Sequence, residues 1–182
     1  MKRNFVIFIF AIALAGLYMH AQQTRRELTK SSPADKNGLS ASVPDVYAIP
    51  GQFQRILVFR FKNQTDLLAG LEKTVKQQKI KNAVILAGIG SVRNYHVHSV
   101  SNRDFPSKNM FVKDPKSPAD IVSVNGYVVN GEVHAHMTMT DPDKAFGGHI
   151  EPETNVFTFA AITLGVFDDK VDLTHLLDKD YR

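Results

Sequence analysis

Residues 122–139 read VSVNGYVVNGEVHAHMTM, and this stretch carries the clearest structural signal in the chain. Asn130 and Gly131 separate two runs that are rich in β-branched and aromatic residues, which is the composition of strands. An Asn-Gly pair readily takes the positive φ angles of a two-residue type I′ turn. The stretch therefore predicts a hairpin of two antiparallel strands, at 121–129 and 132–140.

The second strand of this hairpin has one apolar face and one polar face. Because side chains alternate along a strand, His134 and His136 point to the same side. A third histidine, His149, follows a turn and two glycines, whose backbone freedom can bring it back beside the strand. Three histidines and a water match an open tetrahedral zinc site, although other divalent metals also bind imidazole. The alternative interpretation is that these histidines are polar surface residues of a half-exposed strand.

Two residues on the first strand are candidates for hydrogen bonds to these ligands. A two-residue loop puts Tyr127 opposite His134 and Asn125 opposite His136. Both side chains carry polar groups of the kind that orient metal ligands from outside the coordination sphere. They are equally consistent with ordinary packing across a sheet.

Three charged residues are candidates for catalysis. Glu151 and Glu153 follow His149 closely enough that one of them can serve as a fourth ligand or as a general base. Arg93 comes just after a glycine-rich stretch and can hold an anionic substrate. The simpler alternatives are that the carboxylates are exposed loop residues and that the arginine braces its loop.

A second pair of histidines, His96 and His98, also lies at i and i+2 on a predicted strand. The same geometric argument applies to this pair, which makes it the competitor for the metal. Because no third partner lies near it in the sequence, a role on the surface or between subunits is favoured.

The rest of the chain predicts an α/β (α+β) fold. Residues 55–61 have strand composition, and an amphipathic helix of about four turns opens at Thr65 and Asp66. A buried strand at 82–87 ends in a predicted glycine turn at 88–90. Further strands with short connections indicate a mostly antiparallel central sheet with the helix packed on it. These strands are predicted at 92–100, 110–113, 121–129, 132–140 and 155–166.

The beginning of the sequence has the layout of a secretory signal peptide. Lys2 and Arg3 precede an uninterrupted apolar run at 5–18, which is shorter than the roughly 20 residues of a membrane span. Cleavage near Ala21 would release a periplasmic or secreted protein with no stable membrane insertion, and an uncleaved anchor is the alternative. The predicted organisation is a signal peptide at 1–21, a flexible lead-in at 22–45, one domain at 46–170 and a polar tail at 171–182.

Composition excludes several classes of function. The chain has no cysteine, so it holds no disulfide, no thiolate metal site and no thiol nucleophile. Lys2 and Arg3 leave with the signal peptide, so 20 of the 22 basic residues remain against 18 acidic ones. A nucleic-acid-binding protein normally carries a basic patch or stripe, and nucleic acid is therefore not expected as a partner.

Taken in order, these motifs resemble the PPC (plants-and-prokaryotes-conserved) domain family. The resemblance runs from about residue 55 to residue 167, nearly all of the predicted domain. The matching pieces are LLAGL at 67–71, VILAGIGSVRN at 84–94, IVSVNG at 121–126, HAH at 134–136, DPD at 141–143, GGH at 147–149 and AITLG at 161–165.

The resemblance implies an α/β fold with a mostly antiparallel sheet, commonly assembled as a homotrimer. It also implies that His134, His136 and His149 are metal ligands, often for zinc. Plant members join this domain to an AT-hook that binds the DNA minor groove, and the Arg-Gly-Arg-Pro core of that motif is absent here. A more distant similarity is to acetolactate decarboxylase, whose zinc is held by an H-x-H strand pair and a later histidine.

Two functions fit these observations. The first is a metal-dependent enzyme that uses zinc on a small oxygen-rich substrate, with Glu151 or Glu153 as proton carrier and Arg93 as anion holder. The second is a non-catalytic oligomeric binding module, in which the metal orders the fold or a subunit interface. DNA binding, which the family label suggests, is the third alternative.

Overall fold

The computed structural model describes residues 25–28, 43–103 and 107–176. The predicted signal peptide at 1–21 lies outside these residues. No helix within them is long and apolar enough to cross a membrane. The strands are β1 (Arg25–Leu28), β2 (Phe53–Lys62), β3 (Ala83–Val100), β4 (Asn109–Asp114), β5 (Ala119–Val129), β6 (Glu132–Thr140), β7 (Ala145–Ile150) and β8 (Asn155–Phe167). The helices are α1 (Leu67–Gln77) and a short 3-10 helix, Thr174–Leu176.

β3 is the central strand of the sheet, and all of its pairings are antiparallel. Its first half pairs with β5 on one side and β8 on the other, whereas its second half pairs with β4 and β7. β5 pairs with β6 and β6 pairs with β7, so β3, β5, β6 and β7 form a closed ring of strands. β2 and β1 extend the sheet beyond β8 and β4. The predicted α+β fold with a mostly antiparallel sheet is confirmed.

The helix packs on this sheet through one apolar face. Asp66 caps its start by accepting a hydrogen bond from the backbone N–H of Ala69 at 3.0 Å. Leu67, Leu71 and Val75 recur at helical spacing and are fully buried. The helix has eleven residues, about three turns rather than the predicted four.

The helix is shorter because a backbone motif ends it without a glycine. Lys79 takes a positive φ of 54°, and the N–H of Ile80 donates to the carbonyl oxygen of Val75 at 3.0 Å. The N–H of Lys79 donates to the oxygen of Lys76 at 3.1 Å, which completes the pattern of a Schellman C-cap. A lysine at the left-handed position gives no signal in the sequence.

The predicted hairpin at Asn130-Gly131 is confirmed. The two residues have φ angles of 51° and 83°, as a type I′ turn requires, and β5 ends and β6 begins directly beside them. Asn82 is 2% exposed and fixes this turn, because its side-chain oxygen accepts a hydrogen bond from the N–H of Asn130 at 3.0 Å.

The glycine turn predicted at 88–90 is wrong, because β3 runs through it without a break. A Cβ on Gly88 would overlap the side chain of Val124, and one on Gly90 would overlap the backbone of β8. Gly90 also has a φ of 146°, and the pairing with β8 shifts register on both sides of this point. The glycines therefore allow close approach of neighbouring strands and bend the strand instead of ending it.

Both ends of the described domain carry more structure than the sequence predicts. β1 lies within the predicted flexible lead-in at 22–45 and pairs with β4 over four residues. Val171 and Leu173, in the predicted polar tail at 171–182, are buried beside Val129 in a small second hydrophobic cluster. Neither segment has apolar periodicity, so its docking is decided by tertiary contacts.

Candidate metal centre

The backbone pairing of three strands gathers four histidines on one face. His136 on β6 is the cross-strand partner of His149 on β7, and His149 is in turn the partner of His98 on β3. His134 lies two residues before His136 on the same face of β6. β7 is therefore the middle strand of the site, and it brings a late histidine between two earlier strands.

Two glycines make this three-strand arrangement possible. A Cβ on Gly147 would overlap the carbonyl oxygen of Met137 on β6, and one on Gly148 would overlap the carbonyl oxygen of His98 on β3. The two glycines of the Gly-Gly-His motif therefore allow β6 and β3 to approach β7 closely on its two sides. This close approach places the His149 ring beside the other histidines.

The histidines predicted as ligands lie close together. The Nε2 atoms of His134 and His136 are 3.2 Å apart. Two imidazole nitrogens bound to one tetrahedral zinc ion, each at about 2.0–2.1 Å, are separated by about 3.3 Å, so the pair has the spacing of a chelate. The His149 ring stands edge-on to both, with centroid distances of 4.8 Å to His134 and 5.2 Å to His136.

A fourth histidine and one carboxylate complete the cluster. The His98 ring stacks on the His149 ring, with centroids 4.6 Å apart and planes 24° apart. The Oε1 atom of Glu151 lies 2.5 Å from Nδ1 of His98 and 3.5 Å from Nδ1 of His149. The metal-ligating atoms of His98, His149 and Glu151 all lie within 4.8 Å of one another.

The surroundings favour the neutral, metal-binding form of two of these imidazoles, His149 and His136. The pKa of His149 is lowered from 6.5 to about 4, mainly by burial and then by the nearby His98 and His134, against an opposing effect of Glu151. Burial, then His134 and His98, also lower the pKa of His136. Among the described residues, Nδ1 of His149 is buried without a hydrogen-bond partner, an arrangement that a bound cation would relieve.

The cluster is open to solvent on one side. His134 and His136 are exposed, whereas His98, His149 and Glu151 are half-buried. The opposite face of β6 is packed in the core, where Ala135, Met137 and Met139 are at most 2% exposed. The site therefore combines a rigid apolar support with an accessible polar face, which suits both an ion and a small molecule.

The other predicted site residues lie at or beyond the edge of the cluster. Of the two candidate carboxylates, Glu151 lies in the cluster, whereas Glu153 is exposed and forms an ion pair with Lys113 at 2.6 Å. That ion pair lowers the pKa of the Glu153 carboxyl. Arg93 is exposed on β3, five residues before His98, about 16 Å along the strand.

The cross-strand partners of the H-x-H pair have the predicted register. Tyr127 is opposite His134 and Asn125 is opposite His136. The Asn125 side chain hydrogen-bonds to Ser123 at 3.3 Å, and Tyr127 is 41% exposed. Within the described chain, neither side chain hydrogen-bonds to a histidine of the cluster, so the register is confirmed and the role as orienting partner stays a prediction.

The sequence predicts a different role for His98, on the surface or between subunits. Its i, i+2 spacing from His96 is typical of metal-binding histidines on a strand, but the third partner, His149, is 51 positions further along the chain. His96 itself lies outside the cluster, with Nδ1 3.1 Å from the carbonyl oxygen of Pro152. Only the pairing of β7 with both β6 and β3 merges the two candidate sites into one.

A model of the Plants and Prokaryotes Conserved (PCC) domain matches residues 48–168 of the chain. Among solved structures, a plant- and prokaryote-conserved protein from Pyrococcus horikoshii is 22% identical with a TM-score of 0.58, over 70% of this chain and 89% of that one. A metal-containing protein from Archaeoglobus fulgidus is 19% identical with a TM-score of 0.56, over 66% of this chain and 86% of that one. The search of curated proteins found no match.

A third similar structure is from Bacteroides thetaiotaomicron, and its description suggests DNA binding. It is 18% identical with a TM-score of 0.50, over 67% of this chain and 86% of that one. At such identities these similarities show the fold alone. The description is in tension with the expectation that nucleic acid is not a partner, and none of these matches supports the similarity to acetolactate decarboxylase.

Proposed function

Because the chain belongs to the Plants and Prokaryotes Conserved domain family, we propose that it is a metal-binding member of that family, with zinc as the ion. The observation that carries the proposal is the convergence of four histidines and Glu151 on one face, with a buried ring nitrogen of His149 left without a partner. The metal-containing relative from Archaeoglobus fulgidus supports it.

The residues that would hold the ion are His134, His136 and His149. Their chemistry fits zinc, which accepts neutral imidazole nitrogen, and the chain has no cysteine to form a thiolate site. Three protein ligands would leave the fourth position on the exposed side, where His134 and His136 meet solvent. An open position of this kind is characteristic of catalytic rather than structural zinc sites.

The activity that we propose is metal-dependent chemistry on a small oxygen-rich substrate. A bound divalent ion would acidify a water molecule or polarise a substrate oxygen. Glu151 supplies the carboxylate at the cluster, and Glu153, which pairs with Lys113, and Arg93, farther back on β3, stay as the other proposed proton carrier and the anion holder. The alternative is a non-catalytic module in which the metal only orders β6, β7 and β3.

A zinc titration of the metal-free protein tests the site. We expect the wild type to bind one zinc per chain, and His136→Ala to weaken binding by about a hundredfold or more, because a ligand is lost. His96→Ala is the matched control, since His96 lies on β3 but outside the cluster. Equal zinc affinity in all three proteins, or no binding by the wild type, would contradict the proposal.

Removal of the metal distinguishes a catalytic zinc site from a non-catalytic one. In the catalytic case, chelation abolishes turnover of small hydroxy- or keto-acids and leaves the assembly intact. In the non-catalytic case, chelation dissociates the oligomer or lowers its melting temperature, and no substrate is turned over.

The location that we propose is the periplasm or the medium outside the cell. The support is the sequence at 1–21, with two basic residues before a short apolar run. Mass spectrometry of the protein from its native host tests this, and we expect a mature chain that begins near Gln22. A chain that retains Met1 and partitions with membranes would indicate an uncleaved anchor.

Other copies of the chain are the partners that we propose. On the outer faces of β2, β8 and β3, several exposed apolar side chains lie on neighbouring strands, because Val58 pairs with Thr163 and Ile89 pairs with Ala161, two residues away on β8. The large exposed members are Ile56, Val58, Ile89, Phe157 and Phe159, between 39% and 67% exposed. Contiguous apolar patches are typical of interfaces, and a homotrimer would cover this face.

A further inference from the structure

The geometry points to Glu151 as a positioning residue that holds His98, so that the Nε2 atom of His98 is free and His98 is a fourth imidazole of the metal centre. This inference rests on the proposed zinc site and adds two roles to it; with His98 as a ligand the protein would fill the fourth position, and a substrate oxygen would have to add as a fifth ligand. Glu151 acts through His98 and is not itself a ligand, and His98 joins the cluster from β3 instead of forming a separate site with His96.

The backbone explains why Glu151 and His98 meet. Ile150 is 1% exposed and points into the core opposite Val97, so the residues on either side of it, His149 and Glu151, share the opposite face. The N–H of Glu151 donates to the carbonyl oxygen of His96 at 3.0 Å, which continues the ladder one residue past β7. Glu151 is therefore diagonal to His98, within reach of a long side chain.

The distance between the two side chains indicates a hydrogen bond and not shared coordination. Oε1 of Glu151 is 2.5 Å from Nδ1 of His98. Two ligand atoms of one tetrahedral ion, each about 2.0–2.2 Å from it, would be about 3.3 Å apart. A separation of 2.5 Å fits two atoms that share a proton better than two ligand atoms of one ion.

That proton fixes the tautomer of the imidazole. A carboxylate only accepts hydrogen bonds, so the His98 ring must donate from Nδ1, and whenever the ring is neutral its lone pair is then on Nε2. Metal-binding histidines are commonly held in this way by a carboxylate on the nitrogen that does not bind the metal. Both side chains are 19% exposed, so water competes weakly for the contact.

The position of His98 in the cluster agrees with this role. Its ring stacks on His149 at 4.6 Å, and His149 in turn lies 4.8 Å from His134. Oε1 of Glu151 is 3.5 Å from Nδ1 of His149, which is too long for a good hydrogen bond. Glu151 therefore makes its hydrogen bond to His98. The cluster thus has three rings from β6 and β7 and one ring that a carboxylate orients from β3.

The tautomer of His98 can be measured without metal. In the metal-free protein at pH 8, long-range proton–nitrogen NMR of the imidazoles should show His98 protonated at Nδ1 and unprotonated at Nε2. Glu151→Ala should move His98 toward the Nε2-protonated form, whereas the control Glu153→Ala should leave it unchanged. The inference would be overturned if His98 of the wild type is protonated at Nε2, or if Glu151→Ala leaves the tautomer of His98 unchanged.

Zinc affinity then tests whether the pair belongs to the metal centre. We expect His98→Ala and Glu151→Ala each to weaken zinc binding by about 10-fold to 100-fold, the usual cost of losing such a contact. The double variant should be no weaker than His98→Ala, because Glu151 acts through His98. A further loss in the double variant would mean that Glu151 binds the metal directly, which contradicts the assignment.

The outcomes separate this inference from the proposed function. Unchanged zinc affinity in His98→Ala, beside a clear loss in His136→Ala, would overturn the inference and leave a three-histidine site in place. A wild-type protein that binds no zinc would overturn the proposed function itself.

Discussion

At the scale of single residues, the fold has its largest electrostatic effect on the pKa of His149. Its ring is surrounded by three other imidazoles, and burial together with these neighbours holds its pKa near 4. A neutral imidazole with a free lone pair is what a metal requires, but in the metal-free protein the same burial leaves a polar nitrogen unsatisfied. The residue is therefore poorly suited to a merely structural role.

This pKa predicts how the stability of the metal-free protein depends on pH. Between pH 6.5 and about pH 4, the unfolded chain protonates His149 and the folded chain does not, so the free energy of unfolding falls as the pH falls. We expect a decrease of about 2 kcal/mol, since the full shift corresponds to about 3 kcal/mol and partial exposure of the ring reduces it.

Urea unfolding at several pH values measures this effect. In His149→Gln the decrease over the same interval should be smaller by that amount, whereas His175→Gln, which lies in the 3-10 helix far from the cluster, should behave like the wild type. Parallel pH profiles for wild type and His149→Gln would show that the histidine is not held neutral.

At the scale of elements, β7 is the part of the fold that makes the site. It is six residues long and pairs with β6 on one side and with β3 on the other. Both neighbours approach its glycines so closely that no side chain fits at 147 or 148. The element is short, and its position depends on backbone contact more than on side-chain burial.

A substitution in β7 that touches no donor atom should therefore disrupt the metal centre. We expect Gly148→Ala to weaken zinc binding by about tenfold or more, because the added Cβ pushes β7 away from His98 and separates the rings. Calorimetric titration of the folded variant with zinc measures this.

Gly88→Ala is the matched control for that experiment. It adds an equally crowded Cβ, against Val124 in the β3–β5 pair, away from the histidines. We expect both variants to lose about 1–3 kcal/mol of stability, and only Gly148→Ala to lose zinc affinity. Equal zinc affinities would mean that the position of β7 does not govern the site.

Local features of these elements could be predicted from the sequence, whereas contacts between distant residues could not. The Asn-Gly turn and the alternation of β6 were predictable because they depend on neighbours within a few residues, and both are confirmed. The glycines at 88 and 90 read as a turn, since their real partners, Val124 and β8, are distant in the chain. His98 was separated from the site for the same reason.

For the molecule as a whole, the exposed apolar side chains on the outer faces of β2, β8 and β3 predict assembly. We expect the protein to sediment as a trimer, and Val58→Glu with Ile89→Glu to dissociate it, because charges would replace apolar contacts at the centre of the face. Val46→Glu changes an 83% exposed residue outside the sheet and serves as the control. Monomeric wild-type protein would contradict the homotrimer.

The balance of charge predicts the behaviour toward nucleic acid. Without the predicted signal segment the chain has 20 basic residues against 18 acidic ones, so we expect no salt-dependent binding to duplex DNA, that is, none that is present at 50 mM salt and lost at 200 mM salt. Fluorescence anisotropy with a labelled duplex checks this. Micromolar binding with that salt dependence would instead support the DNA-binding description of the relative from Bacteroides thetaiotaomicron.

The histidines of β6 and β7 bind a metal ion, as we propose, only if the purified protein contains metal, so metal content per chain is the measurement to make. The protein is purified without a metal-affinity tag and analysed for elements beside a His134→Ala/His136→Ala variant. We expect close to one zinc per chain in the wild type and almost none in the variant. Equal trace metal in both proteins would contradict the claim and leave a metal-free binding module.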